Sequence, residues 1–311
     1  MMKAILFGVA ASFFFAFTFL LNQQMNISGG SWLWSSSLRY IFMLPILLII
    51  MVINKQLSDV VNHIVKNPLE WIIWSTIGFG FFYAPLSFAS AYGASWLVAG
   101  TWQVTIIAGA LMSPFFFKII KTNNGILKRR NKIPKKSLLM SSIILLGIFL
   151  LQFENTKYIS LSKTLLGVLP VIIAAFSYPL GNRKMMEICG DSLNTFQRVY
   201  GMTVCSMPFW IIISFSGLVS VGWPSEGQVV QSLIVAVFSG IIATILFFKA
   251  TDLVKGDAHR LAVVESTQSG EVIFTLLGGI FIFHDKIPTT LGFVGIIFVV
   301  AGMILNSFVN S

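Results

Sequence analysis

The segment AHRLAVVESTQSGEVIFTLLGGIFIF, residues Ala258–Phe283, decides how this chain folds. It is apolar and, at about 1.5 Å per residue, roughly 39 Å long as a helix, which is enough to cross a bilayer. It nevertheless carries Glu265, Gln268 and Glu271. An acidic side chain at the centre of a membrane helix costs about 2.5–3.5 kcal/mol, so such residues usually face a bundle interior and mark a pathway.

Helical geometry places these three polar residues on one face. Successive residues turn by about 100°, so Glu265, Gln268 and Glu271 lie within roughly 120° of arc. We expect this stripe to face inward, with Glu271 near the membrane midplane and Glu265 about 9 Å closer to one surface. The alternatives are that Glu271 is hydrogen-bonded only for packing and that Glu265 extends to the interface.

The composition indicates an integral membrane protein. The 311 residues are 56% hydrophobic and only 10% charged, and the mean hydropathy is +0.86. Continuous apolar runs, rather than the alternating strands of about ten residues in a β-barrel, predict an all-α protein with ten transmembrane helices. The runs lie approximately at 3–21, 31–53, 70–90, 94–117, 138–153, 164–181, 193–215, 229–249, 258–283 and 288–308.

The basic residues predict the orientation. If the amino terminus is inside, 16 of the 21 basic residues fall on that face, and the positive-inside rule then places both termini in the cytoplasm. Three fall on the other face (Lys157, Lys163 and Lys286), and Arg39 and Arg198 lie within spans. Eight of the 16 lie in the hydrophilic segment from Lys118 to Lys136, which we predict to be a solvated cytoplasmic loop. This charge indicates topology and attraction to anionic lipid rather than nucleic-acid binding.

Further polar and aromatic residues inside the spans are candidate site residues. Arg39 lies roughly 12 Å inside the second span, where it serves as a gate or counter-ion, or else extends outward to lipid phosphate. Tyr83, Trp102 and Tyr200 are candidates for holding an apolar or cationic substrate by stacking and cation–π contact, although aromatic residues at helical spacing often only pack. Two further candidates are Gln103 beside Trp102 and Arg198 near Tyr200.

The two halves of the chain, 1–155 and 156–311, resemble one another. Arg39-Tyr40 on the second span corresponds to Arg198-x-Tyr200 on the seventh. Gln103 corresponds to Gln268 or Glu271, depending on small gaps. Five spans per half is an odd number, so the two five-helix repeats must be inverted in the membrane, together forming one membrane domain. Inverted repeats are a recurring plan of secondary transporters, with the site near the midplane.

Two stretches carry a family resemblance: LRYIFMLP at 38–45 and ESTQSGEVIFTLLGGIFIFHD at 265–285. The chain resembles the drug/metabolite transporter superfamily, specifically its ten-helix EamA-like branch and the bacterial multidrug resistance efflux transporters. Glu271 or Val272 stands where that branch frequently has proline, and His284-Asp285 where it frequently has Gly-Glu. The resemblance implies export of small drugs or metabolites across the inner membrane, often by ion exchange.

We therefore predict a secondary active exporter, proton-coupled, and not an enzyme. Its partners are a small-molecule substrate, a proton or other coupling ion and the lipid bilayer. No cofactor or metal is expected, since the three histidines are scattered and neither a P-loop nor HExxH or G-x-S-x-G occurs. A metabolite exchanger or importer of the same fold remains an alternative, as do a lipid-handling subunit and an intramembrane enzyme.

The polar stripe suggests how transport is coupled. Burial disfavours the charged form of a carboxyl group, so Glu271 is expected to hold a proton and release it when the cavity opens to the cytoplasm. Glu265 is a candidate acceptor for that proton. Alternatively, Arg39 or Arg198 pairs with a carboxylate and keeps it ionised.

The basic asymmetry generates a topology prediction. A cysteine at Lys128 should react with a membrane-impermeant thiol reagent in inside-out vesicles and stay unlabelled in intact cells, because the Lys118–Lys136 segment lies in the cytoplasm. Labelling from outside intact cells would contradict the predicted orientation.

Overall fold

The fold is a bundle of apolar helices. The computed structural model describes residues 1–122, 125–156, 161–284 and 287–309. Within these residues, eight helices are long and apolar enough to cross a membrane, and two further apolar stretches, Leu138–Leu151 and Thr290–Asn306, are shorter. The helical, multi-pass character is confirmed, while the count of ten spans remains a prediction.

We number the helices of the ten apolar segments from first to tenth in chain order. Six of them run without interruption. These are the first (Met2–Ile27), second (Trp32–Ile53), fifth (Lys135–Thr156), sixth (Leu161–Cys189), seventh (Thr195–Val221) and tenth (Thr290–Val309) helices.

The other four helices contain an irregular segment. The third and eighth contain a π-helical stretch, and the fourth and ninth are broken by a tighter turn. The third comprises Pro68–Ser75, π segment Thr76–Gly80 and Phe81–Ala89. The fourth comprises Ser95–Trp102, Val104–Met112 and the 3₁₀ turn Ser113–Phe115. The eighth comprises Glu226–Val235, π segment Ala236–Ala243 and Thr244–Asp252. The ninth comprises Ala258–Ser266, 3₁₀ turn Thr267–Ser269 and Gly270–Phe283.

Two elements lie outside these ten helices. A short helix, Leu57–Lys66, links the second and third. Strands β1 (Phe117–Thr122) and β2 (Gly125–Arg130) form an antiparallel hairpin in which Phe117 pairs with Arg130. The hydrophilic segment predicted as a loop thus contains a hairpin that the sequence analysis did not predict, and the isoleucines in FKIIKT and GILKRR favour this extended backbone. Lys157 and Lys286, predicted on the outer face, lie outside the described residues.

The sixth helix also differs from the sequence prediction. Pro170 and Pro179 in the sixth apolar run predict a broken or kinked helix, and the polar residues after it predict a cytoplasmic turn that contains Arg183. The structure has one unbroken helix from Leu161 to Cys189, with both prolines and Arg183 inside it. A proline removes only one backbone donor, and neighbouring helices in a bundle support the chain around it. Arg183 therefore projects from a helix rather than from a turn.

Corresponding helices of the two halves of the chain, such as the first and the sixth, have corresponding packing neighbours. The first helix packs against the eighth and ninth, and the sixth packs against the third and fourth. The second and seventh helices pack on each other, as do the fifth and tenth. The irregular segments also correspond between the halves. The third and eighth helices each contain a π segment, and the fourth and ninth are each broken by a turn.

Glycines bring several of these helices into close contact. A Cβ added at Gly181 of the sixth helix would overlap the Gly78 Cα of the third. Gly147 and Gly295 meet in the same manner between the fifth and tenth helices. Small residues let helix backbones approach in a membrane, where there is little hydrophobic drive for helices to associate.

Candidate functional site

A small cavity lies between the first, third, fourth, sixth and ninth helices. Its volume is about 10 Å³, which is enough for roughly one water molecule. Five of its nine lining residues are aromatic and one is acidic. The lining comprises Phe15, Thr18, Phe19, Phe82, Leu86, Trp102, Tyr178, Gln268 and Glu271.

Glu271 is the charged residue of this lining. Its side chain is buried, with 1% relative exposure, and neither carboxyl oxygen has a hydrogen-bond partner. The Trp102 indole lies beside the carboxyl group but does not meet the geometry of a hydrogen bond. The alternative that Glu271 is hydrogen-bonded for packing is therefore not what this structure shows. An unpartnered buried carboxyl group is costly, so its presence needs a functional reason.

The break in the ninth helix positions the polar residues of the cavity. The 3₁₀ turn Thr267–Ser269 lies directly before Glu271, and Gln268 within it lines the cavity with an unpartnered Oε1. Gly8 of the first helix makes room for this turn, because a Cβ there would overlap the Thr267 hydroxyl. The inward orientation predicted for Gln268 and Glu271 thus agrees with the geometry.

The fourth helix is broken at the matching place. Trp102 ends one helical segment and Gln103 begins the turn to the next. Trp102 lines the cavity, whereas Gln103 lies outside its lining, donating from Nε2 to the Ala99 carbonyl at 2.9 Å and leaving Oε1 unpartnered. Rings close the space between the helices: Phe82 lies 5.1 Å from Trp102 and 4.5 Å from Tyr178, measured between centroids.

Arg39 lies behind the cavity wall. Its guanidinium donates to Thr18 Oγ1 at 3.1 Å and stacks 4.0 Å above the Tyr83 ring. The Tyr83 hydroxyl in turn donates to Asn22 Oδ1 at 3.2 Å. With 1% exposure, Arg39 does not extend to the interface, so that alternative is wrong. Within the described residues it has no carboxylate partner, so the predicted counter-ion role is not seen either. Tyr83 supports Arg39 and does not line the cavity.

Arg198 and Tyr200 lie away from the cavity. Arg198 Nη1 bonds Asp252 Oδ1 at 2.6 Å, joining the seventh and eighth helices. The predicted pairing of Arg198 with a carboxylate of the ninth helix is therefore wrong, because its partner is Asp252 of the eighth helix. Tyr200 is buried and is not among the residues that line the cavity.

Glu265 is paired with a residue that the sequence did not suggest for the site. Both of its oxygens accept from Arg183, with Nη2 at 2.8 Å from each. The sequence predicts a turn at Arg183, because a basic residue that follows an apolar run usually marks the end of the membrane span. The alternative that Glu265 extends to the interface is wrong, since only 4% of the residue is exposed. Tyr178, Phe15, Phe19 and Phe82 were also missed, because nothing in the sequence separates them from packing aromatics.

Comparisons with known proteins agree with this architecture. Residues 2–311 match the family model EmrE, described as "Putative multidrug resistance efflux transporter". The chain is 52% identical over 309 residues to "Uncharacterized protein YjlA" of Bacillus subtilis (strain 168), covering 99% of this chain and 95% of the relative. It is 48% identical over 270 residues to an uncharacterized 42.1 kDa protein of Shouchella clausii, covering 87% and 70% of the two chains.

One solved crystal structure shares the fold. It superposes with a TM-score of 0.70 at 9% sequence identity, covering 99% of this chain and 98% of that chain. At this identity the similarity concerns the fold alone.

The two carboxylates of the ninth helix should respond in opposite ways to replacement by leucine. Glu271→Leu removes an unpartnered buried carboxyl group, so it should raise the midpoint of thermal unfolding in detergent. Glu265→Leu leaves Arg183 buried and unpaired, so it should destabilise the protein by about 3–5 kcal/mol. Unfolding monitored by intrinsic fluorescence at matched detergent concentration measures both. A fall in the midpoint for Glu271→Leu as large as for Glu265→Leu would contradict the contrast between the two sites.

Proposed function

Since this chain belongs to the family of multidrug resistance efflux transporters that matches residues 2–311, we propose that it is a proton-coupled secondary exporter of small organic molecules. It acts in the cytoplasmic membrane, with the cavity around Glu271 as the shared site for substrate and proton. Family membership supports a small-molecule substrate and a membrane location. The finer statements rest on the geometry of the cavity.

The observation that carries the proposal is the unpartnered carboxyl group of Glu271. In a dry cavity the ionised form is strongly disfavoured, so the group needs a proton, or a cation in its place. Because either a proton or a cationic substrate can neutralise this carboxyl group, binding of one can be exchanged for binding of the other. Each occupant excludes the other, and the cavity can carry only one of them at a time.

The lining of the cavity supports a lipophilic cation as substrate. Aromatic faces attract cations, and each contact contributes about 0.5–2 kcal/mol. Phe82, Trp102 and Tyr178 surround the space beside Glu271, and no basic residue belongs to the lining. Gln268 Oε1 adds an unpartnered acceptor for an N–H group of the substrate.

The small size of the cavity implies that the structure is an occluded form. Drug-sized ligands occupy pockets of about 300–1,000 Å³, whereas this cavity holds roughly one water molecule. Substrate entry therefore requires the helices to separate. The breaks in the fourth and ninth helices, together with π segments in the third and eighth, are suitable places for such movement.

The helix packing supports two inverted repeats, 1–155 and 156–311. The exchange of helices five places apart preserves the main packing contacts and pairs the break at Gln103 with that at Gln268. In an inverted arrangement, a rocking motion that closes one face opens the other. With both termini in the cytoplasm, as the basic residues predict, the beginning of the ninth helix lies on the cytoplasmic side.

A transport cycle follows from these features. On the outer, more acidic side Glu271 binds a proton and substrate leaves. After the bundle reopens to the cytoplasm the proton dissociates, and a cation takes its place beside the carboxylate and the aromatic rings.

Proteoliposome flux tests this proposal. With an imposed pH gradient, wild-type protein should accumulate ethidium or other lipophilic amines and ammonium ions of a panel in the acidic compartment. Glu271→Gln mimics the permanently protonated form, so the gradient-driven component should fall at least about tenfold, to near the level of empty liposomes. Trp102→Ala should weaken the apparent affinity, by the loss of a cation–π contact.

Glu70→Gln is the matched control, because it makes the same acid-to-amide change at an exposed residue of the third helix. It should transport like wild type. The proposal is refuted by wild-type pH-driven flux in Glu271→Gln, and its substrate class is refuted if no member of the cation panel is moved.

A further inference from the structure

A buried ion pair between Arg183 and Glu265 lies outside the cavity lining. Arg183 Nε lies 3.1 Å from Glu265 Oε1, and Nη2 lies 2.8 Å from both oxygens. The side chains are 4% and 5% exposed. This bidentate geometry occupies both carboxylate oxygens, which distinguishes Glu265 from the unpartnered Glu271 six residues later on the same helix.

The pair lies between the cavity and one end of the bundle. Glu265 precedes Glu271 by about 9 Å along the ninth helix, and Arg183 follows Tyr178 on the sixth by about 7.5 Å. The sixth and ninth helices run in opposite directions, so both displacements point to the same end. Gly109 of the fourth helix packs against the pair, since a Cβ there would overlap Glu265 Oε2.

An aromatic ring covers the pair on its far side. Phe116, just after the fourth helix, has the Arg183 guanidinium 5.6 Å and the Lys184 ammonium 5.1 Å from its centroid. Together these contacts fill the junction of the fourth, sixth and ninth helices. Under the proposed orientation this is the cytoplasmic end.

The opposite end is built differently. LNQQM at 21–25 on the first helix corresponds to GNRKM at 181–185 on the sixth. Asn22 donates to Ser87 Oγ at 3.3 Å and Asn182 donates to Thr251 Oγ1 at 3.5 Å, so the two asparagines bind equivalent helices. Gln23 then stands where Arg183 stands, and its Oε1 accepts from the Ser95 backbone N–H at 2.8 Å.

An open recess accompanies this neutral contact. Gln23 and Asn26 line a depression of about 540 Å³ that also includes residues 90–94. At this end the first helix meets the start of the fourth through the neutral hydrogen bond between Gln23 and Ser95. The sixth and ninth helices at the cytoplasmic end are joined by a buried ion pair.

We infer that the ion pair between Arg183 and Glu265 forms the cytoplasmic gate of the transporter. At the corresponding position on the outer side, Gln23 forms a neutral hydrogen bond instead. This inference rests on the proposed function, because a gate presupposes alternating access to the Glu271 cavity. Opening towards the cytoplasm separates the two helices and exposes the pair to water. Neither residue contacts the substrate; they act by setting how readily the cytoplasmic side opens.

Accessibility of a cysteine in the cavity tests the gate. The background carries Leu86→Cys together with Cys189→Ser and Cys205→Ser, and a cationic, membrane-impermeant thiol reagent is added to inside-out vesicles. Arg183→Gln and Glu265→Gln should each increase the labelling rate about tenfold, which corresponds to a shift of about 1.4 kcal/mol towards the open form. The charge swap Arg183→Glu/Glu265→Arg should bring the rate back towards the background.

Asp252→Asn is the matched control, because it disrupts a different Arg–carboxylate pair. That pair, between Arg198 and Asp252, joins the seventh and eighth helices away from the cavity. The labelling rate of this control should equal the background. Gel filtration and thermal unfolding show whether each variant is folded. If a single glutamine variant does not fold, the charge swap, which retains an oppositely charged pair, still tests the gate. Unchanged labelling in both glutamine variants, or an equal increase in Asp252→Asn, overturns the gate.

This assay needs neither substrate nor a pH gradient, so its outcome is separable from that of the flux experiment. Faster labelling without pH-driven flux in the wild type would support the gate and refute proton-coupled export. Wild-type flux with unchanged labelling would leave the exporter in place and refute the gate.

Discussion

The structure depends on the cost of placing carboxylates inside a membrane helix. The ninth helix holds two of them, and they are accommodated in opposite ways. Glu265 is bound at both oxygens by Arg183, whereas Glu271 has no hydrogen-bond partner. A buried carboxylate without a partner is stable only when neutralised. In this structure Glu265 is satisfied by its ion pair, whereas Glu271 is the acid that, under the proposed function, a mobile occupant neutralises.

The irregular segments place these acids where they act. The turn Thr267–Ser269 separates the part of the ninth helix that carries Glu265 from the part that carries Glu271. The corresponding break at Gln103 presents Trp102 to the same cavity from the opposite side. Discontinuous helices at corresponding places in two halves are typical of sites in secondary transporters. The polar residues of the ninth helix thus contribute both to the cavity lining and to the buried ion pair.

The sequence predicted the helical class and the inward position of Glu271, because both follow from local chemistry. Continuous apolar runs require helices in a membrane, and Glu271 within one of them has few alternatives to facing inward. Arg183 was missed because its role depends on how far the sixth helix continues past Pro179, and a proline inside a membrane helix does not end it. Tyr178 and Phe82 were missed because aromatic residues that line a cavity and those that only pack look alike in sequence. The hairpin was missed because basic charge, which reports topology, does not exclude extended structure.

The central claim is that a proton and a cation replace each other at Glu271. Its most direct measurement is proton release when ethidium binds to purified protein in weakly buffered detergent, followed with a pH indicator alongside binding by fluorescence. The account predicts release approaching one proton per bound cation in the wild type near neutral pH, and none in Glu271→Gln, whose amide carries no exchangeable charge. Saturable binding without proton release in the wild type, or equal release in Glu271→Gln, would contradict it.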